Sequence, residues 1–361
     1  MQRITIGDRA VGPGEPTYVI AEAGSNHNGD LTTAKALIDV AVDAGADAVK
    51  FQTFRAAEMY VEDSGIDEHL DPQQSMYEII NSMEMPYEWI PELHNYCRDR
   101  DIHFMSTPFD EQSARELQDY VPAWKVASFT ASHHPFLRHL ATDNKPIIMS
   151  TGAHELEEII ESIELIRDGS PQPVALLHCV ASYPTPLDEI NVSVIETLSQ
   201  EFDVPVGLSD HTLNPIIAPG AAVALGASII EKHFTLDRTL NGPDHKFALE
   251  PNELDSMIDH IRRTEEALGS PIKRILGIEG RLFDIARRHI HAIADINAGQ
   301  KLDQSNVAIL RSGKRSKGLN PRFLDRIIGI EATRDIQRGD GITWDDINLI
   351  EPNRGGIRDK S

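Results

Sequence analysis

Cysteine, aromatic residues and basic charge are all scarce in this chain. Only two cysteines occur in 361 residues, Cys97 and Cys179. They lie far apart and in no metal-ligand spacing, which excludes a disulfide framework and a cysteine-built zinc site and leaves two free buried thiols as the expectation. No stretch approaches the roughly 18 uninterrupted apolar residues of a membrane-crossing helix. The opening MQRITIGDRAVGPGEP has no apolar core of the signal-peptide kind, so a cytoplasmic location is expected. Lys and Arg number 34 against 57 Asp and Glu, a formal net charge of −23. A field of that sign repels nucleic acid and anionic membrane, and neither is expected as a partner. An anionic substrate would need a local cluster of Lys, Arg and backbone N–H groups. The acidic surplus is also what a salt-adapted host selects.

What is present is a globular composition, 40% hydrophobic and 25% charged, which predicts a packed protein rather than a disordered one. The length suits one large barrel with a small second domain, or two ordinary domains. Over the first roughly 250 residues, short β-branched runs alternate with longer stretches of helical spacing. The runs are Tyr18–Ala21, Ala48–Phe51, Ile102–Met105, Trp124–Ala127, Pro146–Met149, Val174–Leu177, Val204–Gly207 and Ser228–Glu231. Between them, LTTAKALIDVAVDAG and ELEEIIESIELIRD read as amphipathic helices, the first closed by Gly45. Eight such units predict an α/β fold, a (β/α)8 TIM barrel; an open doubly wound sheet is the competitor, disfavoured because no glycine-rich dinucleotide fingerprint follows the first strand. The texture changes near residue 286 to short strands and Gly-rich turns. DINAGQKLDQSNVAIL and DIQRGDGITWDDINLI resemble each other, which predicts a small domain with an internal duplication. The expected organisation is a barrel over 1–265, a linker over 266–286 and a small domain over 287–361.

In a TIM barrel the active site forms at the C-terminal ends of the strands. All eight runs end on polar or ionisable residues, which a purely structural barrel does not require. His211 and His233 end adjacent strands. Two imidazoles there suit a divalent metal; the alternative is a pair of hydrogen-bonded core histidines. Lys50, Lys125, Ser128, Ser150 and Ser209, with Thr107 nearby, would hold a phosphate and a carboxylate. Solvated surface lysines are the alternative, a poor one because both follow apolar strand residues. Glu22 is a candidate buried acid, base or sugar ligand, or the ion-pair partner of one of those lysines.

The phrases AEAGSNHNGD, VKFQTF, STPF, STGAHELEEI, LHCVASYPTP, GLSDHT, EKHFTLDR, GPDHKFALEP and ARRHIHAIADINAGQ resemble the sialic acid synthase family, from about residue 15 to 352. The resemblance implies a TIM barrel followed by an antifreeze-like (SAF) domain. It implies condensation of phosphoenolpyruvate with a 2-acetamido sugar aldehyde of the N-acetylmannosamine type, releasing phosphate and giving a nine-carbon 2-keto acid. By position, His211 and His233 resemble the family's metal ligands, for manganese first and for magnesium or cobalt as alternatives. Lys50, Thr107, Lys125, Ser128, Ser150, Ser209 and Tyr183 resemble its phosphoenolpyruvate-binding set. Glu22, Gln52 and Asp244 resemble residues around the sugar. Glu22, Lys50, Lys125 and Tyr183 are the positions expected to act in the chemistry. Arg311 resembles an arginine that reaches into the partner's barrel in a domain-swapped homodimer.

One position departs from the family pattern. Where the family carries a glutamate two residues after the serine of KVAS, this chain has Thr130. Three readings follow: another residue supplies the carboxylate, or Glu22 and the metal activate the water; the sugar differs and Thr130 is shaped for it; or the site is retired and the barrel is a binding protein. A Schiff-base aldolase or lyase on Lys50 or Lys125 is a further alternative, which needs a desolvated lysine of lowered pKa and no metal.

Overall fold

Each of the eight β-branched runs lies in or overlaps a strand, and the amphipathic stretches between them are helical. The computed structural model describes residues 2–66, 73–168 and 173–348, in two units, Met1–Gly269 and Ser270–Ser361. In the first unit a hairpin of β1 (Ile4–Ile6) and β2 (Arg9–Val11) comes first. The barrel strands follow: β3 (Tyr18–Gly24), β4 (Ala48–Thr53), β5 (His103–Pro108), β6 (Trp124–Val126), β7 (Ile147–Ser150), β8 (Val174–Cys179), β9 (Val206–Asp210) and β10 (Ile229–His233). They are ordered β5-β4-β3-β10-β9-β8-β7-β6, every ladder between them is parallel, and the end strands β5 and β6 lie side by side. The chain therefore travels once around a nearly closed TIM barrel.

The helices begin and end where local chemistry dictates. Leu31–Asp43 starts at Asp30, whose carboxylate accepts from the Thr33 backbone N–H at 2.8 Å and from its hydroxyl at 2.7 Å, satisfying donors that a helix N-terminus leaves open. It ends before Gly45 at φ +78°, which lets the Ala46 N–H reach back to Ala41 O at 3.0 Å. Its buried residues Ala34, Leu37, Ile38 and Ala41 follow the i, i+3, i+4, i+7 stripe. Pro251–Leu268 buries Leu254, Met257, Ile258 and Ile261 on the same spacing.

Strand alternation decides what fills the barrel. The lower interior is apolar: Tyr18, Ile20, Ala48, Met105, Ala123, Ile148, Ala175, Leu177 and Ile229 form one buried cluster with Ile4, Ile6 and Val11 of the hairpin. The hairpin, which the strand-helix count did not anticipate, packs on this interior. Two residues further along β3, β4, β5, β7 and β10 the same faces carry Glu22, Lys50, Thr107, Ser150 and Glu231, all buried. Lys125, two beyond Ala123, joins them.

The second unit pairs β11 (Arg288–Ala292) with β12 (Val307–Arg311), antiparallel. Its core holds Ile290, Ile296, Leu302, Val307, Ile336 and Ile342. The duplicated phrases face each other. Ile296 and Ile336 exchange backbone hydrogen bonds at 2.9 and 2.8 Å. Asp335 accepts from the Ala298 N–H and Asp295 from the Arg338 N–H, each at 2.8 Å. Equivalent residues of the two copies thus make equivalent bonds, as a duplication requires.

Candidate active site

Lys50 of β4 stands opposite Glu22 of β3 in register. Its Nζ is 2.6 Å from Glu22 Oε2 and donates to Thr107 Oγ1 at 2.9 Å. Lys125 of β6 donates to Ser150 Oγ at 2.8 Å. Glu231 of β10 lies between the two lysines. Its Oε1 is 3.5 Å from Lys125 Nζ and accepts from Ser209 Oγ at 3.1 Å, and its Oε2 is 3.8 Å from Lys50 Nζ. None of these four ionisable groups is more than 5% exposed.

Charges held out of water in this way act strongly on one another. Burial pushes the Glu22 carboxyl up to about 7, against the pull of Lys50. Burial pulls Lys50 down, yet Glu22 and Glu231 outweigh it and hold the ammonium above its usual range. For Lys125 burial prevails over Glu231, and its pKa is lowered. Burial also opposes ionisation of Glu231, but Lys125 and Lys50 bring it below the usual carboxylate range. One carboxyl is poised near neutrality and the other stays ionised, an arrangement typical of acid–base sites.

Closer to the mouth, the rings of His211 and His233 lie 5.5 Å apart. His211 Nδ1 is 2.9 Å from Val180 O; donating there fixes the tautomer that leaves Nε2 free to ligate. His233 Nδ1 is buried with no hydrogen-bond partner and lies 3.7 Å from Asp244 Oδ2. Burial lifts Asp244 to about 6, although His211 and Lys50 oppose it. Two imidazoles, one with an orphaned buried nitrogen, and a carboxylate alongside fit a divalent cation that takes nitrogen and oxygen ligands. Gly24, at φ +54°, makes room for this, since a Cβ there would meet Asp244 Oδ2 at 3.0 Å. Gln52 donates to Glu22 Oε1 at 3.0 Å. Tyr183, half exposed, lies 4.3 Å from His211 and 5.2 Å from Phe247 between ring centres, and Phe247 lies 5.0 Å from His233. A cavity of about 970 Å3 is lined by Tyr183 and Phe247 together with Ser25, Asn26 and Lys246.

Ser128 Oγ accepts from the Gly152 N–H at 3.0 Å. Thr130 is buried in the same single turn, Ser128–Thr130. Some strand-end residues do not join the cluster. Lys232 pairs with Asp210 at 2.7 Å, because it alternates with Glu231 and His233 and so leaves β10 on the other face. His178 bonds Ile190 O at 2.7 Å. The expectation that polar strand ends converge therefore holds only for residues of inward parity. Arg311 lies in the second unit, exposed at the end of β12 and opposite Arg288. Sequence reasoning left out Glu231 and Phe247. For Glu231 the signal was available: it stands two residues before His233 and shares its face.

A family model described as the NeuB family matches residues 37–273, and one described as the SAF domain matches 287–348. The chain belongs to the NeuB family. It is 44% identical to the spore coat polysaccharide biosynthesis protein SpsE of Bacillus subtilis (strain 168), over 97% of this chain and 98% of that one. It is 36% identical to N,N'-diacetyllegionaminic acid synthase of Legionella pneumophila, over 91% and 94%. The solved structure of N-acetylneuraminic acid synthetase from Leptospira borgpetersenii, in complex with citrate, matches with a TM-score of 0.71 at 34% identity, over 78% of this chain and 95% of that one. This NeuB-family chain is a condensing sugar-acid synthase of the sialic acid synthase family, a TIM barrel followed by a SAF domain.

Proposed function

We propose that the enzyme condenses phosphoenolpyruvate with an N-acetylmannosamine-like hexose aldehyde and releases phosphate, giving a nine-carbon 2-keto sugar acid. The observation that carries this is the pairing of two buried ammonium groups, each with a hydroxyl partner, with two imidazoles and a carboxylate beside them. The first set suits a phosphate and a carboxylate on one small molecule; the second suits a cation. His211 and His233 would hold a divalent metal, manganese first, with magnesium and cobalt tolerated by the same donors. Among the described residues no three His, Cys, Asp or Glu side chains are grouped closely enough to hold a metal ion, so the two imidazoles are the donors this reading rests on, with Asp244 alongside. When bound, such a cation acts as a Lewis acid toward the aldehyde oxygen. Lys50 with Thr107, and Lys125 with Ser150 and Ser128, hold the two anionic groups of phosphoenolpyruvate in a dry pocket where charge is worth most. Gln52, Glu22 and Asp244 face the sugar, and Tyr183 and Phe247 wall it.

The shared-site homodimer, with Arg311 serving the partner's acceptor pocket, is part of the same reading. It is supported by an exposed apolar surface in the second unit, where Ile275, Leu282 and Phe283 line one open cavity and Ile272 and Ile278 are also exposed. Surfaces of that kind mark interfaces.

Phosphate release from phosphoenolpyruvate with manganese tests the reading, using a panel of acetamido and diacetamido hexoses, phosphorylated and not. Release that requires both one sugar and the metal is expected; none with any sugar would overturn it. The lowered pKa of Lys125 favours the Schiff-base aldolase as the second reading. Borohydride trapping of pyruvate on Lys125, with turnover that survives a chelator, would establish that reading instead.

A further inference from the structure

Glu231 is the residue whose state the proposed reaction has not yet explained. It is 5% exposed and sits between two lysines, and its two oxygens differ. Oε1 accepts from Ser209, whereas Oε2 is buried with no hydrogen-bond partner. A buried carboxylate oxygen left without a donor is costly by about 1–3 kcal/mol, so such a position is retained where a ligand group completes it. Glu22 Oε2 also has no hydrogen-bond partner, but it is held in a close ion pair, 2.6 Å from Lys50 Nζ, while Oε1 accepts from Gln52; Glu231 Oε2 is 3.8 Å from the same ammonium, and Asp244 stands against His233. Among the described residues Glu231 alone is a carboxylate within 4 Å of both lysines, hence beside any molecule whose anionic groups those lysines hold. No carboxylate comes from the Ser128–Thr130 turn.

We infer that Glu231 is a catalytic carboxylate of this site, its Oε2 accepting a hydrogen bond from the water that adds to C2 of phosphoenolpyruvate. The inference rests on the condensation proposed above. In that step the C2–C3 π pair of phosphoenolpyruvate forms the bond from C3 to the aldehyde carbon. The carbonyl π pair moves to the aldehyde oxygen, which becomes a hydroxyl by taking up a proton. The oxygen of water bonds to C2 and one water proton is released, so the proton count closes. The C2–O bond to phosphate then breaks, the new C2 hydroxyl gives its proton to the departing phosphate, and the ketone forms. An ionised carboxylate beside C2 orients the water and offsets the positive character that develops there before the water bonds.

Glu231→Gln keeps the size of the side chain and the bond from Ser209 but removes the charge. Steady-state phosphate release should show kcat lowered by about 100-fold or more, with KM for phosphoenolpyruvate within about threefold, because binding stays with the lysines. A counter-ion that merely arranged the lysines would raise KM instead. A kcat within about fivefold of the parent enzyme, or a loss carried wholly by KM, would overturn the inference. If Glu231→Gln does not fold, Glu231→Asp takes its place: it keeps the charge but withdraws the oxygens, and the same split between kcat and KM decides. The unaltered enzyme is assayed alongside. If it turns over and Glu231→Gln matches it, this inference falls alone; if it releases no phosphate with any sugar, the condensation and the inference fall together.

Discussion

Residues 1–269 carry 17 Lys and Arg against 45 Asp and Glu, a net −28, whereas residues 270–361 carry 17 against 12, a net +5. The two units also treat charge differently. The barrel buries Glu22, Lys50, Lys125, Asp210, Glu231 and Lys232, while Asp346 is the one buried Asp, Glu, Lys or Arg among the described residues of the second unit. Burying charge is expensive unless it is paired; Asp210 and Lys232 pair with each other on the outer face, whereas Glu22, Lys50, Lys125 and Glu231 carry that cost inside the barrel. The second unit keeps its charge outside and sets Arg288 directly across from Arg311. Like charges opposed on neighbouring strands destabilise them, and an anionic counterpart relieves this. The acidic barrel of a second copy would supply one, in line with the shared-site reading.

The comparison breaks most visibly at the buried lysines. Replacing either Lys50 or Lys125 by methionine should lower kcat/KM for phosphoenolpyruvate by about 100- to 1,000-fold, the scale on which a preorganised donor acts. A loss of less than tenfold in initial-rate assays would mean that the buried charges are structural. The next largest effect is on pH-dependent stability. Glu22 is raised from an ordinary 4.5 to about 7, so the folded state binds its proton more tightly than the unfolded state does. That stabilisation is complete below about 4.5 and is lost as pH rises through about 7, amounting to about 3 kcal/mol. Metal-free protein should melt at progressively lower temperature from pH 5 to pH 8, and Glu22→Gln should flatten that slope. An unchanged slope would place the titration elsewhere.

Arg311→Ala sharpens the contrast from the other unit. KM for the sugar should rise by about tenfold, about 1.4 kcal/mol, with KM for phosphoenolpyruvate within twofold. Equal loss for both substrates would count against a shared site. The smallest effects belong to the duplicated turns. Asp295→Ala and Asp335→Ala each remove one equivalent bond to a backbone N–H, and each should cost about 1 kcal/mol by denaturant melts of the full chain. Unequal costs would show that the two copies no longer share the load.

The barrel was legible because eight β-branched runs, each followed by an apolar stripe of helical period, leave few other arrangements. The hairpin Ile4–Val11 was missed because strands of three residues carry too little alternation to register. Within the site, Lys50, Lys125 and Glu22 were legible as ionisable groups directly following apolar strand residues, and His211 and His233 as imidazoles at the ends of adjacent strands. Reading each strand end as a block, instead of by parity, did not separate Glu231, which points inward, from its neighbour Lys232, which does not. Arg311 was singled out only through the family resemblance, because by itself it is an exposed arginine at the end of a strand.

Mass analysis of the complete reaction tests the central claim most directly. The enzyme is incubated with phosphoenolpyruvate, manganese and the sugar that supports phosphate release. A keto acid three carbons longer than that sugar is expected, formed in equal amount to the phosphate. Phosphate accompanied by free pyruvate, with the sugar unchanged, would contradict it.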